Sequence, residues 1–214
     1  DWATLAEHTL RAVHAAHDAQ LMHLDIKPAN IMHSSKDDSY VIVDYGLARV
    51  RKLYDVRDPN LGGTLFYFAP EAFEGENGLS SDIFSLGTTL YQAWTGVNPW
   101  IEIVDKFDTP QIPWDVQYQQ AQKLGPTWNG VSDGVRSILE PMLSLDPKKR
   151  PAPRIILDKV MTIPRQPGLM QHPKNFVVTK DNIFHAWQSL QSKLVELITP
   201  VSYTHLRAHE TSLH

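Results

Sequence analysis

From residue 44 to residue 71 the chain carries neither the 3.6-residue period of a helix nor the two-residue alternation of a strand. An irregular stretch of that length inside a compact domain is usually functional, and its neighbours decide what holds it. Ahead of it, residues 31–32 and 40–43 read as two short strands joined by the polar turn Ser34-Ser35-Lys36-Asp37-Asp38-Ser39. Behind it, Ser80-Ser81-Asp82 is expected to cap a strongly apolar helix over 83–94, ended by Gly96 and Pro99. Upstream, Leu5, Ala6, Leu10, Val13 and Ala16 recur at helical spacing, which predicts an amphipathic helix over 2–19. Leu21-Met22 then leads into a loop holding residues 23–30. Further helices are expected from Ser132-Asp133 to about residue 145, over 155–161 and over 182–198, with a break at Asp146-Pro147. The expected fold is mainly α with one small β-hairpin.

Composition narrows the function classes. The 214 residues, 42% of them apolar, are enough to bury a real core. A net charge of -4 makes no electrostatic case for nucleic acid or an anionic membrane as a partner. Cysteine is absent, so disulfides and thiolate zinc sites are excluded, which fits an intracellular protein, cytoplasmic or nuclear. No apolar run approaches the roughly 20 residues that span a bilayer.

The residues that carry chemistry lie in the run His23-Leu24-Asp25-Ile26-Lys27-Pro28-Ala29-Asn30. Asp44-Tyr45-Gly46 begins nineteen positions after Asp25, and Ala69-Pro70-Glu71 follows. Residues 81–87, SDIFSLG, and 146–151, DPKKRP, come later. Taken singly, Asp25 and Asn30 are turn formers and Asp44 is a polar residue at a strand end. Taken together and in this order, the five motifs resemble those of the serine/threonine protein kinases: catalytic loop, metal-binding triplet, activation-segment end and two later signatures. The resemblance implies a kinase C-terminal lobe over residues 1–200, with the N-terminal lobe that completes the ATP site lying upstream.

It also implies roles. Asp25 would orient the substrate hydroxyl and take its proton, and Lys27 would set a cation beside the transferring phosphoryl group. Asn30 and Asp44 would bind Mg²⁺ through hard oxygens, with ATP as the phosphoryl donor. Met32 would lie under the adenine ring. His23 and Tyr45 would stack behind the site, Glu71 and Arg150 would form a buried ion pair, and Asp82 would hold catalytic-loop backbone, its plainer reading being a helix cap. Thr64 would bridge Asp25 and Lys27, and Thr64 with Lys27 favours serine/threonine over tyrosine acceptors. The implied partner is a protein substrate; the other reading of such a chain is a pseudokinase scaffold that binds without catalysis.

Several positions depart from the family. Leu24 replaces the usual Arg before the catalytic Asp, so the phosphate clamp that Arg provides is missing. Residues 44–71 hold no Ser and one Thr, Thr64, so activation is expected not to depend on phosphorylating this loop at Tyr54 or Thr64. Ala29 and Gln92 stand where basic-directed kinases carry acids, and Phe66 where proline-directed kinases carry a basic residue, predicting neither preference. The chain opens Asp1-Trp2-Ala3-Thr4 with no glycine-rich loop before the catalytic run, so an exposed apolar surface is expected where the small lobe would dock. Residues 201–211, VSYTHLRAHET, resemble an in-frame translation of a transposase adapter, so 201–214 are expected to be an artefactual tail in which His205, His209 and His214 say nothing about metals.

Overall fold

The structure is a computed structural model that describes residues 1–34, 36–50, 65–104, 112 and 114–165. Its centre is the apolar helix α2, Leu79–Thr95, whose residues from Ser81 to Tyr91 are all buried. A helix covered on every face must run through the core rather than over it. The other elements pack around this rod.

Helix α1, Trp2–Asp18, is capped by Asp1, whose side chain accepts the Thr4 N–H at 2.7 Å. Its buried face, with Leu5, Leu10 and Val13, lies on α2, on the hairpin and on α6, Pro153–Val160. Trp2 pins the start of α1 to the end of α2: its indole N–H donates to Leu90 O at 2.8 Å, and its ring meets Trp94 edge-on at 5.6 Å. Helix α5, Asp133–Met142, begins at the Ser132 cap as expected and crosses α2 at Gly87. The crossing is close enough that a Cβ on Gly87 would stand 2.9 Å from Met142 Cβ. Phe84 stacks on Trp100 at 5.7 Å on another side of the rod.

The β structure exceeds the expected hairpin. Strands β2, Ile31–Ser34, and β3, Ser39–Ile42, form that hairpin, with Ile31 opposite Ile42 and Met32 opposite Val41. A second pair joins β1, Leu21–Met22, to β4, Arg49–Val50, antiparallel. Two-residue strands are too short for any alternation to show in a sequence. Helices α3, Ile101–Val104, and α4, Trp114–Leu124, also fill a region read as connections. Helix α2 starts at Leu79 after Gly78, so Asp82 is not its cap but lies within the helix, 1% exposed. The expected helix over 182–198, the tail from 201, Tyr54 and Thr64 lie outside the described residues.

Candidate active site

The loop between β1 and β2 is suspended from Asp82. The Asp82 carboxylate accepts the backbone N–H of His23 at 2.9 Å and of Leu24 at 2.8 Å. His17, 7% exposed on α1, places Nε2 3.0 Å from the same carboxylate. A buried carboxylate meeting three polar hydrogens is satisfied where a bare one would be very costly. Asp82 therefore acts as expected, through loop backbone, while its reading as a cap fails. His17 is the participant that the sequence reading missed. Its signal was present: His17 continues the Leu10, Val13 stripe at helical spacing, so a polar side chain falls on the buried face.

Anchored there, the loop takes an unusual path. Leu24 has φ 65° and is 8% exposed, a buried non-glycine residue in the left-handed region. Leu in place of Arg is thus a side chain turned into the protein, matching a position that carries no charge.

The next residues converge on one carboxylate. Lys27 Nζ lies 2.7 Å from Asp25 Oδ2, and Asn30 Nδ2 donates to the same oxygen at 2.9 Å and to Asp25 O at 2.8 Å. Pro28 to Asn30 form one tight turn, which brings positions 25, 27 and 30 together. His23 supports Asp25 from behind: Asp25 N–H donates to His23 Nδ1 at 3.2 Å. That leaves the ring proton on Nε2, facing Val43 O at 3.1 Å. The His23 ring also packs on Tyr45, centroids 4.6 Å apart, so the expected stack is present. Burial raises the Tyr45 phenol above its ordinary range, with the Asp82 charge adding to the effect.

Asp44 reaches the site from the end of β3. Val43 N donates to Asn30 O at 2.8 Å, tying the strand end to the Pro28–Asn30 turn. Asp44 sits at φ 61°, with Oδ1 accepting the Gly46 N–H at 3.1 Å. Asn30 turns Nδ2 toward Asp25, which directs Oδ1 the other way. Asn30 and Asp44 thus offer amide and carboxylate oxygens, a donor set that fits Mg²⁺, which keeps water and phosphate in most of its shell. No group of three or more His, Cys, Asp or Glu suited to a metal occurs among the described residues. Met32 is 7% exposed, while its cross-strand neighbour Val41 is 51% exposed, so the hairpin presents an apolar face beside it. Among the described residues, other exposed large apolar side chains include Leu124 on α4, Ile155 on α6 and Met161 just after it.

Glu71 and Arg150 form the expected pair as a two-pronged fork at 2.6 and 2.8 Å. Arg150 also donates to Ser80 O and Ser144 O and lies over the Phe84 ring, and Ser81 Oγ donates to Glu71. The segment before Glu71 is held through its carbonyls. Asn98 donates to Phe66 O, Ser85 to Tyr67 O and Gln122 to Phe68 O, at 2.7 to 3.0 Å.

The comparisons with known proteins agree with this architecture. The protein kinase domain model matches residues 1–161. The chain is 31% identical over 160 residues to a calcium and calcium/calmodulin-dependent serine/threonine-protein kinase of Pisum sativum, covering 72% of this chain and 29% of that protein. It is 32% identical over 169 residues to mitogen-activated protein kinase kinase kinase 8 of Rattus norvegicus, covering 77% and 35%. A membrane-associated tyrosine- and threonine-specific cdc2-inhibitory kinase of Caenorhabditis elegans is 35% identical over 150 residues, covering 70% and 20%. The chain spans no more than about a third of the length of these curated relatives. With its anchored loop, convergent Asp25, Lys27 and Asn30, and the Glu71–Arg150 fork, the chain belongs to the protein kinase domain family.

Proposed function

We propose that the full-length protein carrying this chain is a serine/threonine protein kinase that moves the γ-phosphoryl group of ATP to a hydroxyl of a protein substrate. The observation that carries the reading is the Asp25 carboxylate, shared by Lys27 and Asn30 on a loop hung from buried Asp82. In phosphoryl transfer the protein contributes positioning and charge neutralisation more than covalent chemistry, and this loop is built to position.

Asp25 orients the acceptor hydroxyl and takes its proton as the new O–P bond forms and the bond from the γ-phosphorus to the bridging oxygen breaks, ADP leaving with those electrons. Lys27, held in the same turn, keeps a positive charge beside the carboxylate and so beside the hydroxyl it orients. Asn30 and Asp44 would hold Mg²⁺, which would supply charge neutralisation on the phosphates. Met32 and the apolar face around Val41 floor the adenine, the remaining wall coming from elsewhere in the full-length protein. Lys27 on the loop supports Ser/Thr acceptors. The half-buried rings of Phe66, Phe68 and Phe73 around buried Tyr118 support an apolar residue beside the acceptor.

The test is transfer of labelled γ-phosphate by the full-length protein, followed by phosphoamino-acid analysis. Phosphoserine and phosphothreonine are expected. Phosphotyrosine alone would overturn the acceptor assignment, and no transfer to any protein would support a binding scaffold instead.

A further inference from the structure

The sequence contains two Asn-Gly pairs, Asn77-Gly78 and Asn129-Gly130, and the fold treats them in opposite ways. Their shared chemistry is local. A glycine has no Cβ to shield its backbone nitrogen, so that nitrogen can approach the amide carbon of the preceding Asn. What separates the pairs is whether nitrogen and amide are free to meet.

At the first pair they are not. Asn77 is 9% exposed, and Gly78 is the N-cap residue of α2. The Gly78 N–H donates to Ser81 Oγ at 3.0 Å, and its carbonyl accepts the Ser81 N–H at 2.9 Å. Drawing the Gly78 nitrogen onto Asn77 would open the first turn of the helix at the centre of the fold.

The second pair lies in the turn ahead of α5. Asn129 and Gly130 are both exposed. Gly130 has φ 78°, with empty space to 4 Å around the place where a Cβ would stand. Among the described residues the Gly130 N–H has no acceptor. Two hydrogen bonds hold the edges of the turn: the Val131 N–H donates to Trp128 O at 3.1 Å, and Trp94 Nε1 donates to Gly130 O at 3.1 Å. Neither engages the Gly130 nitrogen or the Asn129 side chain.

We propose that Asn129 is a site of spontaneous deamidation, exposed by the fold while Asn77 is protected by it. The Gly130 nitrogen attacks Asn129 Cγ, the Cγ–Nδ2 bond breaks, and Nδ2 leaves as ammonia, taking the Gly130 proton. Water then opens the resulting cyclic imide at either carbonyl, giving aspartate or isoaspartate. Each product makes the net charge of -4 more negative and sets a carboxylate next to Trp128, over whose ring Arg136 lies at 5.3 Å. Isoaspartate also routes the main chain through Cγ and so lengthens the turn between the Trp128–Val131 and Trp94–Gly130 bonds. The site does not depend on phosphotransfer.

Ageing the full-length protein in warm, mildly alkaline buffer and mapping its tryptic peptides by mass spectrometry tests the proposal. Cleavage after Lys123 and Arg136 isolates Asn129 as the sole side-chain amide of its peptide. The folded protein is expected to convert Asn129 faster than Asn77 by roughly tenfold or more. In urea, where the fold no longer protects it, Asn77 should approach the rate of Asn129. Asn129 left unconverted in the folded protein, Asn77 converting there as fast, or an Asn77 rate unmoved by urea overturns the proposal.

Discussion

Asp82 Oδ1 accepts the Leu24 N–H at 2.8 Å while Leu24 is held at φ 65°. The backbone strain and the bond that sustains it are thus adjacent, and the next residue is Asp25. A left-handed conformation at a buried non-glycine residue persists only where its surroundings over-determine it. Helix α2 does so from a position immobilised on every side.

Asp82→Ala removes the acceptor for two backbone N–H groups and leaves His17 without its carboxylate. Each buried N–H left unmet costs about 1–3 kcal/mol. Urea unfolding of the full-length protein should show a loss in that range or above, with phosphotransferase activity falling further than stability. Asp82→Asn, which keeps one acceptor oxygen, should lie between the two. A change under about 0.5 kcal/mol in Asp82→Ala would mean that the loop is held by something else.

Arg150→Lys separates fork geometry from charge. Arg150 reaches Glu71 twice and two carbonyls besides, with its side chain 0% exposed. A Lys ammonium has neither the fork nor the span for all four. The substitution should destabilise nearly as much as Arg150→Ala, about 3–5 kcal/mol when a buried pair is broken. Near-neutral behaviour of Arg150→Lys would show that charge alone suffices.

Gly87→Ala tests the crossing of α2 and α5. Helix propensity favours Ala over Gly by about 1 kcal/mol, so an open site would be stabilised. Here the new Cβ meets Met142 Cβ at 2.9 Å, a neighbour fixed to the backbone of α5. The expected result is a net loss of about 1–3 kcal/mol by thermal or urea unfolding. A stabilised variant would contradict the close packing.

Tyr67 should remain protonated when other tyrosines ionise. Burial raises its phenol to about 12 in the folded protein, against about 10 unfolded. The unfolded chain therefore binds fewer protons between those values. The stabilisation from Tyr67 is complete below about pH 10 and is lost as pH rises toward 12. Spectrophotometric titration below pH 11 should find the same number of ionising tyrosines in wild type and Tyr67→Phe. One fewer in the variant would show Tyr67 to be an ordinary phenol.

The chemistry was more legible in the sequence than the architecture that aims it. Asp25, Lys27 and Asn30 lie within one short run, so local turn geometry brings them together and spacing suffices to read them. The α1 and α5 helices were readable because a cap and an apolar stripe are local signals. The β1–β4 pair was not, since two residues cannot display alternation and their partner lies far along the chain. Asp82 was read both as a support for the loop and as a cap. Only three-dimensional contact decides, because the Gly78 start of α2 leaves no side-chain signature. His17 went unnoticed since its meaning depends on Asp82, sixty-five positions away.

The central claim is that Asp25 is the group that activates the acceptor hydroxyl, and single-turnover phosphoryl transfer by Asp25→Asn in the full-length protein tests it most directly. Asn preserves the size of the side chain and an oxygen for Asn30 but cannot take a proton. The account predicts that the rate falls by about 10²- to 10⁴-fold while nucleotide affinity and unfolding midpoint stay near wild type. A variant that transfers phosphate at the wild-type rate would contradict it.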